Sequence, residues 1–489
     1  MSEGKTIFKQ NIYSQSTEIL GFASNLIFNV IFPVLLGSVL FGTVSLVLGF
    51  AYLLGSLITS GTSNLAMIFS SKYYKRDKAR FKHHFAYLTR ISLMLAFVAS
   101  ILLFLFSDSL ALIYNMPEIS YLLKISSFIV LFKATMSYFY TALIGMRRAQ
   151  DSLIVSVFST IGIIVFPFAL YFNMGIDGFI LGVAISYILA FIVSAILFRK
   201  NHPIEVAFNK KKVKRRYVFK EIVLFTILSF KRVFLRWVLL LILGLFVISS
   251  SEIAFFKVSM SWVSVVGTLI PISGAAMFAS FVRLKEVDMK KLKYYLKKII
   301  NYSLVLMIPS IVGISLLGDK LILLIYGSEY LGAALPIAIM SLFIIFSFFD
   351  NIFYYIIASY DKLFELSKRY VISMIFSSIA AFVLMMEMGL IGASIAYVLS
   401  AILLFTASLS LILKYVWKEV PKLIIINSIR PAISAAMMGA FILWSMTFLH
   451  GIIGMALIII SSIFLYFVSM LAIKGIKYSD IKLLSRLLK

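Results

Sequence analysis

Fourteen apolar segments fill most of this 489-residue chain. A hydrocarbon core of ~30 Å needs about 20 helical residues, and every segment is about that long or longer. The segments cover 13–36, 41–70, 86–106, 119–145, 152–172, 178–198, 221–249, 253–281, 299–317, 333–359, 370–388, 390–413, 424–448 and 451–473. Because 62% of the residues are apolar and only 13% are charged, no room is left for a large soluble domain. We predict an all-α polytopic membrane protein with about 14 transmembrane helices.

Basic residues lie on alternate sides of these segments. Of the 46 Lys and Arg residues, 37 lie in the two tails and in every second gap, whereas the other gaps together hold only Lys320. Since basic flanks stay cytoplasmic during insertion, we predict a multi-pass protein of the cell (inner) membrane with both termini cytoplasmic. The formal charge of +26 then indicates anionic membrane lipids, and not nucleic acid, as partners.

Several kinds of chemistry are excluded. Cysteine is absent, so disulfides and thiolate sites cannot form, and none of the four histidines has a carboxylate at ligand spacing. We therefore expect no metal and no cofactor. Paired carboxylates, a nucleophile–base arrangement and a phosphate-binding loop are not evident, which argues against an enzyme.

An internal repeat divides the chain. A shift of 214 residues lays 140–175 on 354–389, and a shift of 212 lays Tyr114 on Tyr326. We predict two parallel six-helix repeats: an N-terminal lobe at 1–205, a basic cytoplasmic linker at 206–220 and a C-terminal lobe at 221–415. Residues 416–489 add helices 13 and 14 and a basic tail. A carrier can rock one such lobe against the other, so the repeat favours transport.

Proline and glycine mark special points in the segments. Six of the nine prolines lie inside segments, where each one bends a helix, either for static packing or as a hinge. Pro33 and Pro271 are our hinge candidates. The pair Gly178 and Gly182 has the spacing of close helix packing.

Three motifs resemble one family. Leu36-Gly37 followed by Phe41-Gly42, the stretch Tyr326-Gly327-Ser328-Glu329-Tyr330, and the glycine-rich turn Gly389-Leu390-Ile391-Gly392 stand in the order and spacing found in polysaccharide flippases of the MOP superfamily. Such Wzx-type flippases carry O-antigen and other lipid-linked oligosaccharides, and the resemblance covers essentially the whole chain. It implies a MATE-like, V-shaped pair of lobes that moves a lipid-linked sugar from the cytoplasmic to the outer leaflet.

Ionisable residues inside the segments test that implication. A charge at mid-bilayer costs at least ~2.5–3.5 kcal/mol, so such residues usually face a cavity or a partner. Arg232 and Arg236 lie one helical turn apart, where they either snorkel to the surface or line an aqueous cavity that binds an anion. Arginine binds phosphate in a bidentate mode, which suits a lipid diphosphate. The candidates for a cationic substrate site are Arg232, Arg236, Lys231, Lys133, Lys257, Lys124 and Arg90.

Other polar residues suggest subsidiary roles. Ser24, Asn25 and Asn29 are candidates for contacts with sugar hydroxyls. Asp350 and Glu18 are candidates for coupling to H⁺ or Na⁺ or for gating, although Asp350 could equally form a salt bridge with Lys133.

Three alternatives stay open. A MATE-type drug exporter needs acidic residues in its cavity, whereas bases outnumber acids in these segments by about eight to two. A peptidoglycan-precursor (lipid II) flippase would share the helix number and the cationic cavity. A membrane glycan polymerase or glycosyltransferase would belong to a different class, but the outer gaps are too short and too poor in charge for its usual catalytic loop.

Overall fold

A computed structural model of the chain describes residues 3–74, 76–201, 215–247, 249–268, 281–282, 289–449 and 451–475. The chain divides into two compact units, Met1–Lys257 and Val258–Lys489. Within the described residues the regular structure is helical, which confirms the all-α class.

The first unit begins with α1 (Glu3–Tyr73), α2 (Lys78–Leu105), the short α3 (Ser107–Ile113), α4 (Ile119–Gly145) and α5 (Ala149–Asn201). It continues with α6 (Arg215–Val233), a π-helical turn (Phe234–Val238) and α7 (Leu239–Gly244). The next helix, α8 (Ser250–Thr268), crosses the division between the units.

The second unit continues with α9 (Met289–Tyr326), a 3₁₀ turn (Ser328–Ala333), α10 (Ala334–Met340) and α11 (Phe343–Ser359). It ends with α12 (Leu363–Tyr415), α13 (Val420–Ser445) and α14 (Gly451–Ala472). The last two helices pack against α9, where the Tyr466 hydroxyl donates to the Val305 carbonyl at 2.7 Å.

Three of the longest helices are broken by a glycine with positive φ. These are Gly37 in α1 (φ 73°), Gly175 in α5 (φ 60°) and Gly389 in α12 (φ 51°). Such a conformation is open to glycine and strained for residues with a Cβ. Each break falls between two predicted segments, so each of these helices accounts for two of the fourteen.

The two arms of α5 run antiparallel. A Cβ added to Gly182 would collide with the backbone of Phe166 and Pro167, and one added to Gly178 would collide with the Leu170 carbonyl. The predicted small-residue pair therefore lets the two arms of a helical hairpin touch.

Eight of the described helices are long and apolar enough to cross a membrane, and a pair bent by 49°, Ser328–Met340 with Phe343–Ser359, makes a ninth. When the three broken helices are counted as two arms each and α6–α7 and α8 are included, the number approaches the predicted fourteen. The count is approximate, because the seventh and eighth segments lie on helices that are shorter or less apolar than the others and because 269–280 lie outside the described residues.

Local backbone geometry confirms the repeat. Arg147 (φ 60°) and Asp361 (φ 56°) are 214 residues apart and both adopt the left-handed conformation, as do the glycines at 175 and 389. The amides of Arg147 and Asp361 also make equivalent hydrogen bonds: the Arg147 amide donates to the Ile144 carbonyl at 2.9 Å, and the Asp361 amide donates to the Ala358 carbonyl at 3.1 Å. The lobe boundaries at 205 and 221 stay a prediction; the compact division falls later because α6 and α7 pack along α1.

Candidate functional site: a cationic cluster among aromatic rings

The predicted arginines lie on the helix that runs along the second arm of α1. Small residues allow this close approach: a Cβ at Gly61 would collide with the Ile222 carbonyl, and one at Gly42 with the Ser250 carbonyl. Along the chain, residue 222 precedes Arg232 and Arg236 and residue 250 follows them. The contact at Gly61 therefore holds one end of α6–α7, and the contact at Gly42 holds the start of the helix that follows.

Arg236 lies in the middle of the π-helical turn Phe234–Val238. A π turn inside an α-helix is rare and often marks a functional site, because it changes the direction of the side chains that follow. Arg232 is the last but one residue of α6, and both arginine side chains are exposed, whereas Lys231 beside them is buried.

Lys133 of α4 lies against two tyrosine rings. Its Nζ is 3.4 Å from the ring centroid of Tyr52 in α1 and 5.8 Å from that of Tyr187 in α5. The Tyr187 hydroxyl donates to the Tyr52 hydroxyl at 3.3 Å. The face of an aromatic ring attracts a cation, and more strongly where water is scarce, so these rings stabilise the ammonium within the bundle.

Lys257 of α8 makes a similar contact with Trp237. Its Nζ is 4.6 Å from the indole ring, and that ring lies edge-on to Tyr52 with centroids 5.1 Å apart. The charges of Lys257 and Arg236 are both close enough to act on Lys133. Four helices and the π turn thus bring together three cations and three rings. We call this set the cationic–aromatic cluster, consisting of Lys133, Arg236, Lys257, Tyr52, Tyr187 and Trp237.

The cluster lies deep within the helices of the first unit. At 1.5 Å per residue, Tyr52 is about 22 Å along the helix from Gly37, Lys133 about 21 Å from Ile119, and Lys257 about 10 Å from Ser250. These starting points are at the end of the unit that the charge pattern predicts to face outside. A hydrocarbon core is ~30 Å thick, so these depths place the cluster around its middle, with Lys257 on the outer side and Tyr52 and Lys133 on the inner side.

Other candidate residues lie away from this cluster. The Lys124 Nζ pairs with Asp108 Oδ1 at 2.9 Å beside the short helix α3. Arg90 is exposed on α2. Asn25 is exposed on the first arm of α1, with Ser24 and Asn29 half-buried near it.

The remaining candidates are the residues predicted to act in coupling, in gating or as a hinge. Asp350 is buried in the second unit and accepts a hydrogen bond from the Tyr370 hydroxyl at 2.7 Å. Pro33 is buried one helical turn before the break at Gly37. The Glu18 side chain and Pro271 lie outside the described residues.

Sequence reasoning missed the aromatic half of the cluster and the π turn. Tyr52, Tyr187 and Trp237 look like ordinary core residues, because 15% of the chain is aromatic. Nothing in the five residues Phe234–Val238 signals a π turn, apart from an arginine in an apolar segment.

Known structures share this fold. A lipid II flippase MurJ in an inward closed conformation aligns with 97% of this chain and 99% of its own, with a TM-score of 0.74 and 17% identity. An inward-facing multidrug resistance MATE family transporter of the MOP superfamily aligns with 83% of this chain and 95% of its own, with a TM-score of 0.63 and 16% identity. The eukaryotic MATE transporter AtDTX14 covers 86% of this chain and 99% of its own at a TM-score of 0.55 and 14% identity.

At the level of sequence, no curated protein matches the chain. A family profile described as "polysaccharide biosynthesis protein" matches residues 34–335, which is more than half of the chain and includes every residue of the cationic–aromatic cluster. The chain is therefore a member of the polysaccharide biosynthesis protein family, with the fold of the MurJ and MATE transporters.

Proposed function

We propose that this protein is a flippase that moves an oligosaccharide linked to a polyprenyl diphosphate from the cytoplasmic to the outer leaflet, for the biosynthesis of a cell-surface polysaccharide. Membership of the polysaccharide biosynthesis family supports the pathway. The fold, shared with transporters, supports movement of a substrate by a non-enzyme.

The observation that carries the proposal is the convergence of Lys133, Lys257 and Arg236 around the contacting rings of Tyr52 and Trp237. Like charges held together among apolar helices repel each other, and the repulsion falls when an anion binds between them. A lipid diphosphate carries its charge at the junction between lipid and sugar, which must cross the bilayer. The cluster would replace part of the water that the diphosphate loses there.

The proposed mechanism is alternating access, in which the lobes open first to one side and then to the other around the bound diphosphate. Arg232, one turn before Arg236, would meet the substrate on the cytoplasmic side of the cluster. Ser24, Asn25 and Asn29 would contact sugar hydroxyls, and the break at Gly37 beside Pro33 would serve as a hinge.

Reconstitution in liposomes tests this function. Flipping of a fluorescent polyprenyl-diphosphate oligosaccharide is measured for wild type and for Lys133→Gln/Arg236→Gln. A hydrogen bond to a charged group contributes ~1.5–3 kcal/mol, so we expect the double variant to flip at least about tenfold more slowly.

The matched control is Arg430→Gln, which removes an exposed arginine that donates to the Lys474 carbonyl at 2.9 Å in the second unit. It should flip like wild type. Unchanged flipping in a double variant that melts at the wild-type temperature would show that the cluster is not the substrate site.

A lipid II flippase is the second candidate, because the structural alignment to MurJ covers 97% of this chain. Both substrates present a lipid diphosphate to the same cluster, and they differ in the attached glycan. Competition between the two lipids in the same liposomes separates the candidates: the natural substrate inhibits flipping of the other at the lower concentration.

A cation-coupled drug exporter is a weaker candidate, since a cationic drug would be repelled by Lys133, Arg236 and Lys257. Export of cationic dyes by the reconstituted protein, without flipping of the lipid, would favour it.

We propose further that Asp350 couples flipping to H⁺ or Na⁺. Asp350 is buried and accepts a hydrogen bond from the Tyr370 hydroxyl, and a carboxylate inside a helical bundle is a typical binding site for a coupling cation. An imposed ion gradient should accelerate flipping by wild type but not by Asp350→Asn. Equal acceleration of both proteins would exclude this role.

A further inference from the structure

Helix α9 is too long for the membrane that it crosses. Its 38 residues, Met289–Tyr326, extend about 57 Å, whereas a hydrocarbon core is ~30 Å thick. The apolar segment predicted from the sequence begins at residue 299. About ten residues, or roughly 15 Å of helix, therefore project past it at the end predicted to be cytoplasmic.

This projection is packed in place along one face. Leu292, Leu296 and Ile300 are 1%, 0% and 0% exposed and follow each other at intervals of four, which forms one buried stripe. The flanks of this stripe and the face opposite it carry lysines at 290, 291, 293, 297 and 298. The projection is thus an amphipathic helix whose buried stripe fixes the positions of the lysines on its surface.

Aromatic side chains stand among these lysines. The Lys298 Nζ lies 5.4 Å from the ring centroid of Tyr294 and 3.5 Å from the Tyr302 hydroxyl. The Tyr294 and Tyr295 side chains are 55% and 50% exposed. Tyrosine and tryptophan accumulate at the headgroup level of membranes, because their rings are apolar and their tips are polar.

The connection between α12 and α13 lies beside these lysines. The Lys293 Nζ lies 5.6 Å from the ring centroid of Trp417, in the connection between α12 and α13, and the next residue, Lys418, is exposed. Two separate parts of the second unit thus contribute to one surface. We call it the lysine–aromatic collar, consisting of Lys290, Lys291, Lys293, Lys297, Lys298 and Trp417.

We propose that the lysine–aromatic collar binds the headgroups of anionic phospholipids in the cytoplasmic leaflet. Its lysines would bind headgroup phosphates, and Trp417 would lie against the glycerol and upper acyl chain. Clusters of four to eight basic residues next to a transmembrane helix attract anionic lipids, and each basic residue adds to the attraction. Retention of positive loops in the cytoplasm explains the charge, but it requires neither a packed helical projection nor a tryptophan between the lysines.

The tryptophan itself provides the test. The protein is reconstituted in phosphatidylcholine vesicles that contain a small share of phosphatidylglycerol or phosphatidylcholine brominated near the headgroup, since bromine quenches a nearby indole. The Trp417→Phe variant identifies the part of the signal that belongs to Trp417, because the chain contains four tryptophans. We expect brominated phosphatidylglycerol to quench Trp417 at least twofold more than brominated phosphatidylcholine does.

Three double variants test whether the charge of the collar lysines causes the preference for phosphatidylglycerol. Lys293→Gln/Lys297→Gln should abolish the preference, and Lys293→Arg/Lys297→Arg should keep it. Lys72→Gln/Lys82→Gln removes the same charge from the first unit and should leave the preference unchanged. Equal quenching by the two lipids in wild type would overturn the proposal, and so would a preference that survives in the glutamine pair.

Discussion

Tyr52 makes two separable contacts within the cationic–aromatic cluster. Its ring lies 3.4 Å from the Lys133 Nζ, and its hydroxyl accepts the hydrogen bond from Tyr187. A ring without a hydroxyl keeps the first contact and loses the second. Substitutions at this single position therefore distinguish stabilisation of the cation from the hydrogen bond between the tyrosines.

We predict that Tyr52→Phe flips lipid-linked oligosaccharide at close to the wild-type rate, whereas Tyr52→Leu flips it several-fold more slowly. A buried cation–π contact contributes ~2 kcal/mol, which sets an upper bound of about 30-fold for the loss. Flipping rates and melting temperatures of the two variants are measured together. Equal rates for both variants would mean that the ring face does not matter.

Asp108 provides a prediction for pH outside the membrane. The Ser120 hydroxyl and the Lys124 ammonium both donate to Asp108, and these bonds hold its pKa below the ordinary value. Because the pKa is lower in the folded state, the pair stabilises the protein above the unfolded pKa, and this stability is lost as pH falls through the folded pKa. The effect is small, since the carboxylate is exposed.

We therefore expect the difference in melting temperature between wild type and Asp108→Asn to be largest near neutral pH and to shrink as pH falls below about 4. Thermal melting in detergent from pH 7 to pH 3 measures it. A difference that stays constant over this range would show that the pair does not contribute.

At the residue scale, the cations could be predicted and their partners could not. Lysine or arginine in an apolar segment is conspicuous, because its charge is costly there. Tyr52 and Trp237 are as compatible with lipid or with a packed core as with a cation. The choice depends on tertiary neighbours such as Lys133, which lies 81 positions from Tyr52 along the chain.

At the scale of elements, helical hairpins depend on glycine at the point of closest approach. Gly182→Ala should destabilise the α5 hairpin by ~1–3 kcal/mol, because the added methyl group collides with the Phe166 backbone, which cannot move away easily. Gly313→Ala is the matched control, since a Cβ at that helical glycine meets nothing within 4 Å. Melting temperatures of the two variants in detergent test the contrast. A Gly182→Ala protein as stable as Gly313→Ala would contradict the close packing.

The three family motifs proved to be structural at this scale. Gly37 and Gly389 break helices, and Tyr326 accepts a hydrogen bond from the Trp262 indole at 3.2 Å beside the buried Tyr330. Glycine next to an apolar segment is a local signal, so the hairpins could be predicted. The π turn in Phe234–Val238 could not, because it depends on how the helix fits against α1.

For the whole molecule, duplication explains why much of the fold could be read from the sequence. A local backbone feature of the first repeat, the left-handed conformation of Arg147, recurs at Asp361 in the second, and both amides donate to the carbonyl three residues before them. The compact division at Lys257 was not foreseeable in this way. It depends on the packing of α6 and α7 against α1, which the repeat does not encode.

The orientation of the whole molecule is the last prediction, and the absence of cysteine makes it simple to test. Ala79 and Ser109 are exposed and lie near opposite ends of α2, which extends about 42 Å over its 28 residues. The basic gap at 71–85 places Ala79 in the cytoplasm and Ser109 outside. A membrane-impermeant maleimide should therefore label Ser109→Cys in intact cells and Ala79→Cys only after lysis. The unmodified chain provides a background without label. Labelling of Ala79→Cys in intact cells would reverse the topology and, with it, the end of the cationic–aromatic cluster from which a cytoplasmic substrate would enter.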